Sequence, residues 1–141
     1  MRPTLTLITL GVADLARSLK FYRDGLQWET KSKLEDGVIF LKLNNIVLGL
    51  WPREELAKDA KMQNTPPAFS GIALAHNTKS KEEVDQIFAE VNALGAIITK
   101  TPENTFWGGY SGYFQDPDRH LWEVAWNPHW KIDSQGSVIL P

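Results

Sequence analysis

Residues Tyr113–Pro128 read YFQDPDRHLWEVAWNP. An aromatic strand runs into an Asp-Pro-Asp turn, and a second strand carries one acid, Glu123, among Leu121, Trp122, Val124 and Trp126. Alternation along that second strand puts Leu121, Glu123 and Ala125 on one face and Trp122, Val124 and Trp126 on the other. A carboxylate in such company must be hydrogen-bonded, paired or protonated. Working outward, the remaining sequence has to say which.

The chain before this hairpin repeats one order twice. In the first half a β-branched run, Thr4 to Leu10, reads as a strand, and Asp14 is placed to cap a helix. Leu15, Leu19 and Tyr22 then share a helical face, and Gly25 ends it. Strands are expected near Trp28–Lys33, Gly37–Leu43 and Ile46–Trp51, separated by Glu-Asp-Gly and Asn-Asn turns. Pro52 opens a short helix, and MQNTPPA is a linker. In the second half AFSGIALAH, residues 68–76, reads as a strand. Ser80 and Glu83 make a capping box before an apolar stripe of Val84, Ile87, Phe88, Val91 and Leu94. Gly95 stops that helix, AIITK follows as a strand, TPENTFWGG as a loop, and YSGYFQ and HLWEVAW as the final strands. Both halves thus read β-α-β-β-β, and each is too small to bury its sheet alone. The expected fold is α+β: two such modules, about 1–60 and 68–127, in a single domain spanning 1–141 with a curved eight-stranded mixed sheet. The tail from 128 to 141 is apolar at Val138–Leu140 and is expected to pack on the body or on a second subunit.

Composition narrows the function. The chain has 141 residues, a net charge of −2 and no long run of one sign, which argues against nucleic acid as a partner. With no cysteine, disulfides, thiolate catalysis and Cys-ligated zinc are excluded. No segment has the roughly 20 apolar residues that span a bilayer, and no signal peptide is evident, so a cytoplasmic location away from membranes is expected. Six tryptophans are a surplus that belongs in cores, pockets or interfaces.

The paired modules, ITLGVADLARSLKFYRDGL and above all GYFQDPDRHLWEVAWNP, resemble the vicinal oxygen chelate superfamily of glyoxalase I, bleomycin- and fosfomycin-resistance proteins and extradiol dioxygenases. The resemblance implies a cup-shaped sheet in each module, with metal ligands from the first and last strands. Carried over residue by residue, those positions are Leu7, Gly49, Gly71 and Glu123. A divalent metal needs at least three protein donors in fixed geometry, and leucine and glycine side chains offer none. By strand parity His76 and His120 face away from the cup, and His129 lies beyond the last strand. The chain is therefore expected to work without a metal cofactor; a divalent ion such as zinc, nickel or iron is the alternative.

Glu123 then has three readings. It is an inherited acid satisfied by hydroxyls such as Thr9 or Tyr110, or it anchors a cationic or hydrogen-bond-donating ligand, or it is a general base whose pKa an apolar surround raises. The cup floor is small-sided at Gly49 and Gly71, with Leu7 also facing in, and its walls are expected from Trp51, Phe106, Trp107, Tyr110 and Tyr113. The expected function is binding of a small molecule in an aromatic cup by a homodimer. The alternatives are a lyase or isomerase of glyoxalase I type that uses Glu123 as base or metal ligand, with a dioxygenase less expected, and a dimeric scaffold with no ligand. Arg119 stands where the family usually has glycine, a turn position that tends to require positive φ, at a cost on the order of 1 kcal/mol.

Overall fold

The computed structural model describes residues 1–140. The architecture is α+β, and the chain divides into two compact units, Met1–Pro67 and Ala68–Pro141.

In the first unit β1 (Leu7–Val12), β2 (Ile39–Lys42) and β3 (Val47–Pro52) form a mixed sheet in the order β1-β3-β2. β1 runs parallel to β3, and β2 runs antiparallel to it. Helix α1 (Leu15–Leu19) starts on Asp14, whose Oδ1 accepts the Arg17 N–H at 3.0 Å. It widens into a π-helical turn over Lys20–Gly25, closed by Leu26 N–H on the Phe21 carbonyl. That extra residue per turn brings both Phe21 and Tyr22 inward, ring edge to ring face at 5.1 Å. Together with Leu19 they cover Leu10, Ile39, Leu41, Leu48 and Leu50, which alternation sends to one face of the sheet. Helix α2 (Arg53–Asp59) follows β3, and the Arg53 guanidinium straps the linker through Asn64 Oδ1 and the Thr65 carbonyl.

Two expectations change here. β1 begins at Leu7, three residues later than the β-branched run suggested. The strand expected over Trp28–Lys33 is reduced to a single bridge, Thr30 to Leu41. Its place beside β2 is kept by hydroxyls: Thr30 Oγ1 donates to the Phe40 carbonyl at 2.7 Å, and Ser32 Oγ accepts the Phe40 N–H at 3.0 Å. Short polar side chains that bond backbone in this way compete with the ladder. A 3₁₀ turn over Leu34–Asp36 then ends on Gly37 at φ 75°.

In the second unit β4 (Leu74–Thr78), β5 (Ile97–Asn104), β6 (Tyr110–Gln115) and β7 (Leu121–Trp126) form a mixed sheet in the order β4-β7-β6-β5. Helix α3 (Lys81–Ala93) is capped by Ser80, whose Oγ accepts the Glu83 N–H at 3.2 Å, while Glu83 accepts the Lys79 N–H at 2.7 Å. α3 packs across β5, β6 and β7, with Val84, Phe88 and Val91 buried against Phe114, Trp122 and Val124. Phe114 stacks on Trp122, rings nearly parallel at 6.4 Å. The tryptophan face of β7 is thus the helix face, as alternation required; Leu94, at the end of the stripe, is exposed.

β4 is shorter than expected, because Ala68–Ala73 stay outside it. β5 is longer and runs through Thr101–Asn104, a stretch expected as loop, by means of register shifts after Ile98 and Lys100. The tail forms its own small hairpin, β8 (Lys131–Ile132) with β9 (Val138–Ile139), turned by Asp133 Oδ1 accepting the N–H groups of Gln135 and Ser137. Among the described residues no helix is long and apolar enough to cross a membrane.

Candidate functional site

The Asp-Pro-Asp turn is built around Asp116, which is buried and accepts the N–H groups of Asp118 and His120 on Oδ1. Its Oδ2 lies 2.9 Å from His120 Nδ1, so the histidine is tied into the turn. Arg119 completes it at φ 68°, the left-handed conformation anticipated at a position that glycine suits best. This turn fixes the register of β6 against β7 and sets Tyr113 directly opposite Glu123.

The Tyr113 hydroxyl donates to Glu123 Oε1 at 2.9 Å. Neither Thr9 nor Tyr110 fills that role. Tyr110 lies on the helix face, where its hydroxyl donates to Asp85 of α3 at 2.9 Å. Desolvation and then the bond to Glu123 push the Tyr113 phenol above the ordinary tyrosine value. Lys100 Nζ stands 5.9 Å from the centre of the Tyr113 ring and 3.2 Å from Glu103. A cavity of about 390 Å³ opens on this wall, lined by Phe69, Gly71, Ala73, Thr99, Lys100, Tyr113 and Leu121.

Of the residues expected at the site, Tyr113 and Gly71 therefore line one cavity, and Tyr113 bonds Glu123. Gly71 sits at φ 77° outside β4, so it borders the cavity from a loop. Leu7 and Gly49 come together in the first unit. A Cβ at 49 would lie 3.3 Å from Thr9 Oγ1, 3.5 Å from Leu7 Cδ1 and 3.6 Å from Phe40, so the glycine face is already lined by side chains at contact distance. Trp51 is on β3 beside Gly11. Phe106 is fully exposed on its loop. Trp107 folds over Gly109, where any Cβ would overlap its ring. The sequence reading did not single out Phe69, Thr99, Lys100 or Leu121. Alternation with Glu123 was the available signal for Leu121, whereas the bulges of β5 hide the facing of Lys100.

The four positions at which the superfamily places metal ligands do not make a donor set. Leu7, Gly49 and Gly71 carry no donor atom, and counting back seven residues from the Ser80 cap meets Ala73, which carries none either. Among the described residues no three His, Cys, Asp or Glu side chains form a group able to hold a metal ion. His76 pairs with Val124 in the β4-β7 ladder, on the helix-facing side, and His129 lies past β7.

The model of the Glyoxalase/Bleomycin resistance protein/Dioxygenase superfamily matches residues 4–124. No curated protein matches the chain. Among solved structures, a glyoxalase-related enzyme from Fulvimarina pelagi is 35% identical, with 98% of each chain covered and a TM-score of 0.89. A glyoxalase/bleomycin resistance protein/dioxygenase from Nocardioides is 24% identical over 89% of this chain and 84% of its own, at a TM-score of 0.73. A genomically encoded fosfomycin resistance protein from Listeria monocytogenes is 25% identical over 90% and 95%, at 0.68. The family-model match over residues 4–124, beside a 35% identical structure that covers 98% of each chain, means that this chain belongs to the glyoxalase/bleomycin resistance protein/dioxygenase superfamily.

Proposed function

We propose that this protein binds a small molecule on the Glu123 face of its second module and does so without a metal. The observation that carries the reading is the Tyr113–Glu123 hydrogen bond at the wall of a cavity of about 390 Å³. That volume lies within the range of roughly 300–1,000 Å³ usual for small-molecule sites. Its lining joins two aromatic rings, an ammonium group and small-sided positions at Gly71 and Ala73. Recognition then rests on hydrogen bonds and ring contact, since Leu7, Gly49 and Gly71, three of the four metal-ligand positions, hold hydrocarbon or hydrogen. The protein works as a homodimer, a reading supported by large apolar side chains left open in the segment before β4: Phe69 is 80% and Ile72 63% exposed.

A second reading rests on the same pair. Glu123 acts as a base in a lyase or isomerase reaction of glyoxalase type, its carboxylate oriented by the Tyr113 hydroxyl; the Fulvimarina relative, described as a glyoxalase-related enzyme, supports it. A thermal-shift screen of a small-molecule library separates the readings. Hits whose shifts shrink in Glu123→Gln and Tyr113→Phe support binding at this face. Turnover lost in Glu123→Gln with binding kept supports the second reading, and a broad screen without hits leaves a scaffold.

A further inference from the structure

The cleft that opens where the first unit lacks its expected strand has a chemistry of its own. The segment Glu29–Ser32 is stapled to β2 by the Thr30 and Ser32 hydroxyls, a single bridge and the Lys42 N–H on the Glu29 carbonyl at 3.1 Å. Beside it lies a cavity of about 670 Å³, within the small-molecule range. Phe40 and Lys42 alternate onto the same face of β2 and both line it. Phe40 is 46% exposed, although it sits in the middle of a strand. Trp28 lines the cavity too, its ring tilted against Tyr22 at 5.3 Å, so the packed core holds it in place.

The charge of the lining is one-sided. Arg23 is engaged by its neighbour, Nε to Asp24 Oδ1 at 2.6 Å and Nη2 to Oδ2 at 3.0 Å. Lys31 and Lys42 line the cavity with no ion-pair partner among the described residues, and Glu29 is the one acid among the lining residues. Two ammonium groups against one carboxylate favour an anion, and two aromatic side chains favour a flat ring.

We propose that this cleft of the first unit is a further binding site, for an aromatic carboxylate whose ring meets Phe40 and Trp28 and whose carboxylate meets Lys42 and Lys31. Isothermal titration with 2-naphthoate, and with uncharged 2-naphthalenemethanol for comparison, tests it on the full chain. The expected result is naphthoate binding at least about tenfold tighter than the alcohol, weakened about tenfold by Lys42→Glu and by Phe40→Leu. Lys58→Glu, on the exposed surface of α2, leaves it unchanged and controls for bulk charge. In ¹⁵N-labelled protein naphthoate shifts the Trp28 indole N–H resonance. Equal affinity for the alcohol, no heat at millimolar naphthoate, an unmoved Trp28 resonance, or equal weakening by Lys58→Glu would each overturn the proposal. Hydrogen exchange of the Lys42 variant confirms that its loss of binding is not a loss of fold.

Discussion

A 2.9 Å hydrogen bond from the Tyr113 hydroxyl to Glu123 couples two titratable groups on neighbouring strands. The phenol is held above its usual value of 10.0, by desolvation first and by Glu123 second. The folded protein therefore holds the phenolic proton more tightly than the unfolded chain. That contribution to stability is fully present below the ordinary tyrosine pKa and is lost as pH rises through the raised value. Ultraviolet titration of tyrosinate should show it directly. The component removed by Tyr113→Phe titrates above free tyrosine, and Glu123→Gln brings it down only in part, since desolvation remains. An unchanged titration in Glu123→Gln would mean that the bond has no weight. Arg119 offers a second test at this scale. Its φ of 68° costs on the order of 1 kcal/mol for a residue with a Cβ. Arg119→Gly is expected to raise the urea midpoint, less whatever glycine adds to the freedom of the unfolded chain; a lower midpoint would mean that the Arg side chain makes compensating contacts.

At the scale of elements, the caps are what the sequence makes plainest. Asp14 and Ser80 stand where their side chains accept the first free N–H groups of α1 and α3, and both helices begin there. Ser80→Ala is expected to cost about 1 kcal/mol in chemical denaturation, because the Glu83 N–H loses its acceptor. β6 and β7 were equally legible, since alternation and the Asp-Pro-Asp turn specify the same hairpin. Trp28–Lys33 was not: its composition suits a strand, but the hydroxyls of Thr30 and Ser32 take up the backbone of Phe40 in place of a ladder. β5 was misjudged at its far end because its bulges carry pairing past Pro102, and periodicity cannot foresee a bulge. The same bulges hide Lys100, so the β5 wall of the candidate site was invisible to a reading based on alternation. Gly112 marks the packing behind them. A Cβ there would lie 2.5 Å from Phe88 Cζ and 2.8 Å from the Lys100 carbonyl oxygen, so Gly112→Ala should destabilise by about 1–3 kcal/mol.

Over the whole molecule, family membership and chemistry part company. The superfamily is shown by a match over residues 4–124, which takes in the hairpin that carries Glu123. Yet Leu7, Gly49 and Gly71, the positions expected from the resemblance to complete a metal site, carry no donor atom, and Glu123 is bonded to a tyrosine. Sedimentation equilibrium is expected to give twice the chain mass of 15.9 kDa; a monomer at micromolar concentration would contradict the proposed dimer. The function itself rests on binding without a metal. Its most direct test is calorimetric titration of the strongest hit from the library screen, before and after exhaustive dialysis against EDTA. The affinity should be the same in both and should fall about tenfold or more in Glu123→Gln. Affinity that disappears with EDTA and returns with zinc, nickel or iron would contradict it.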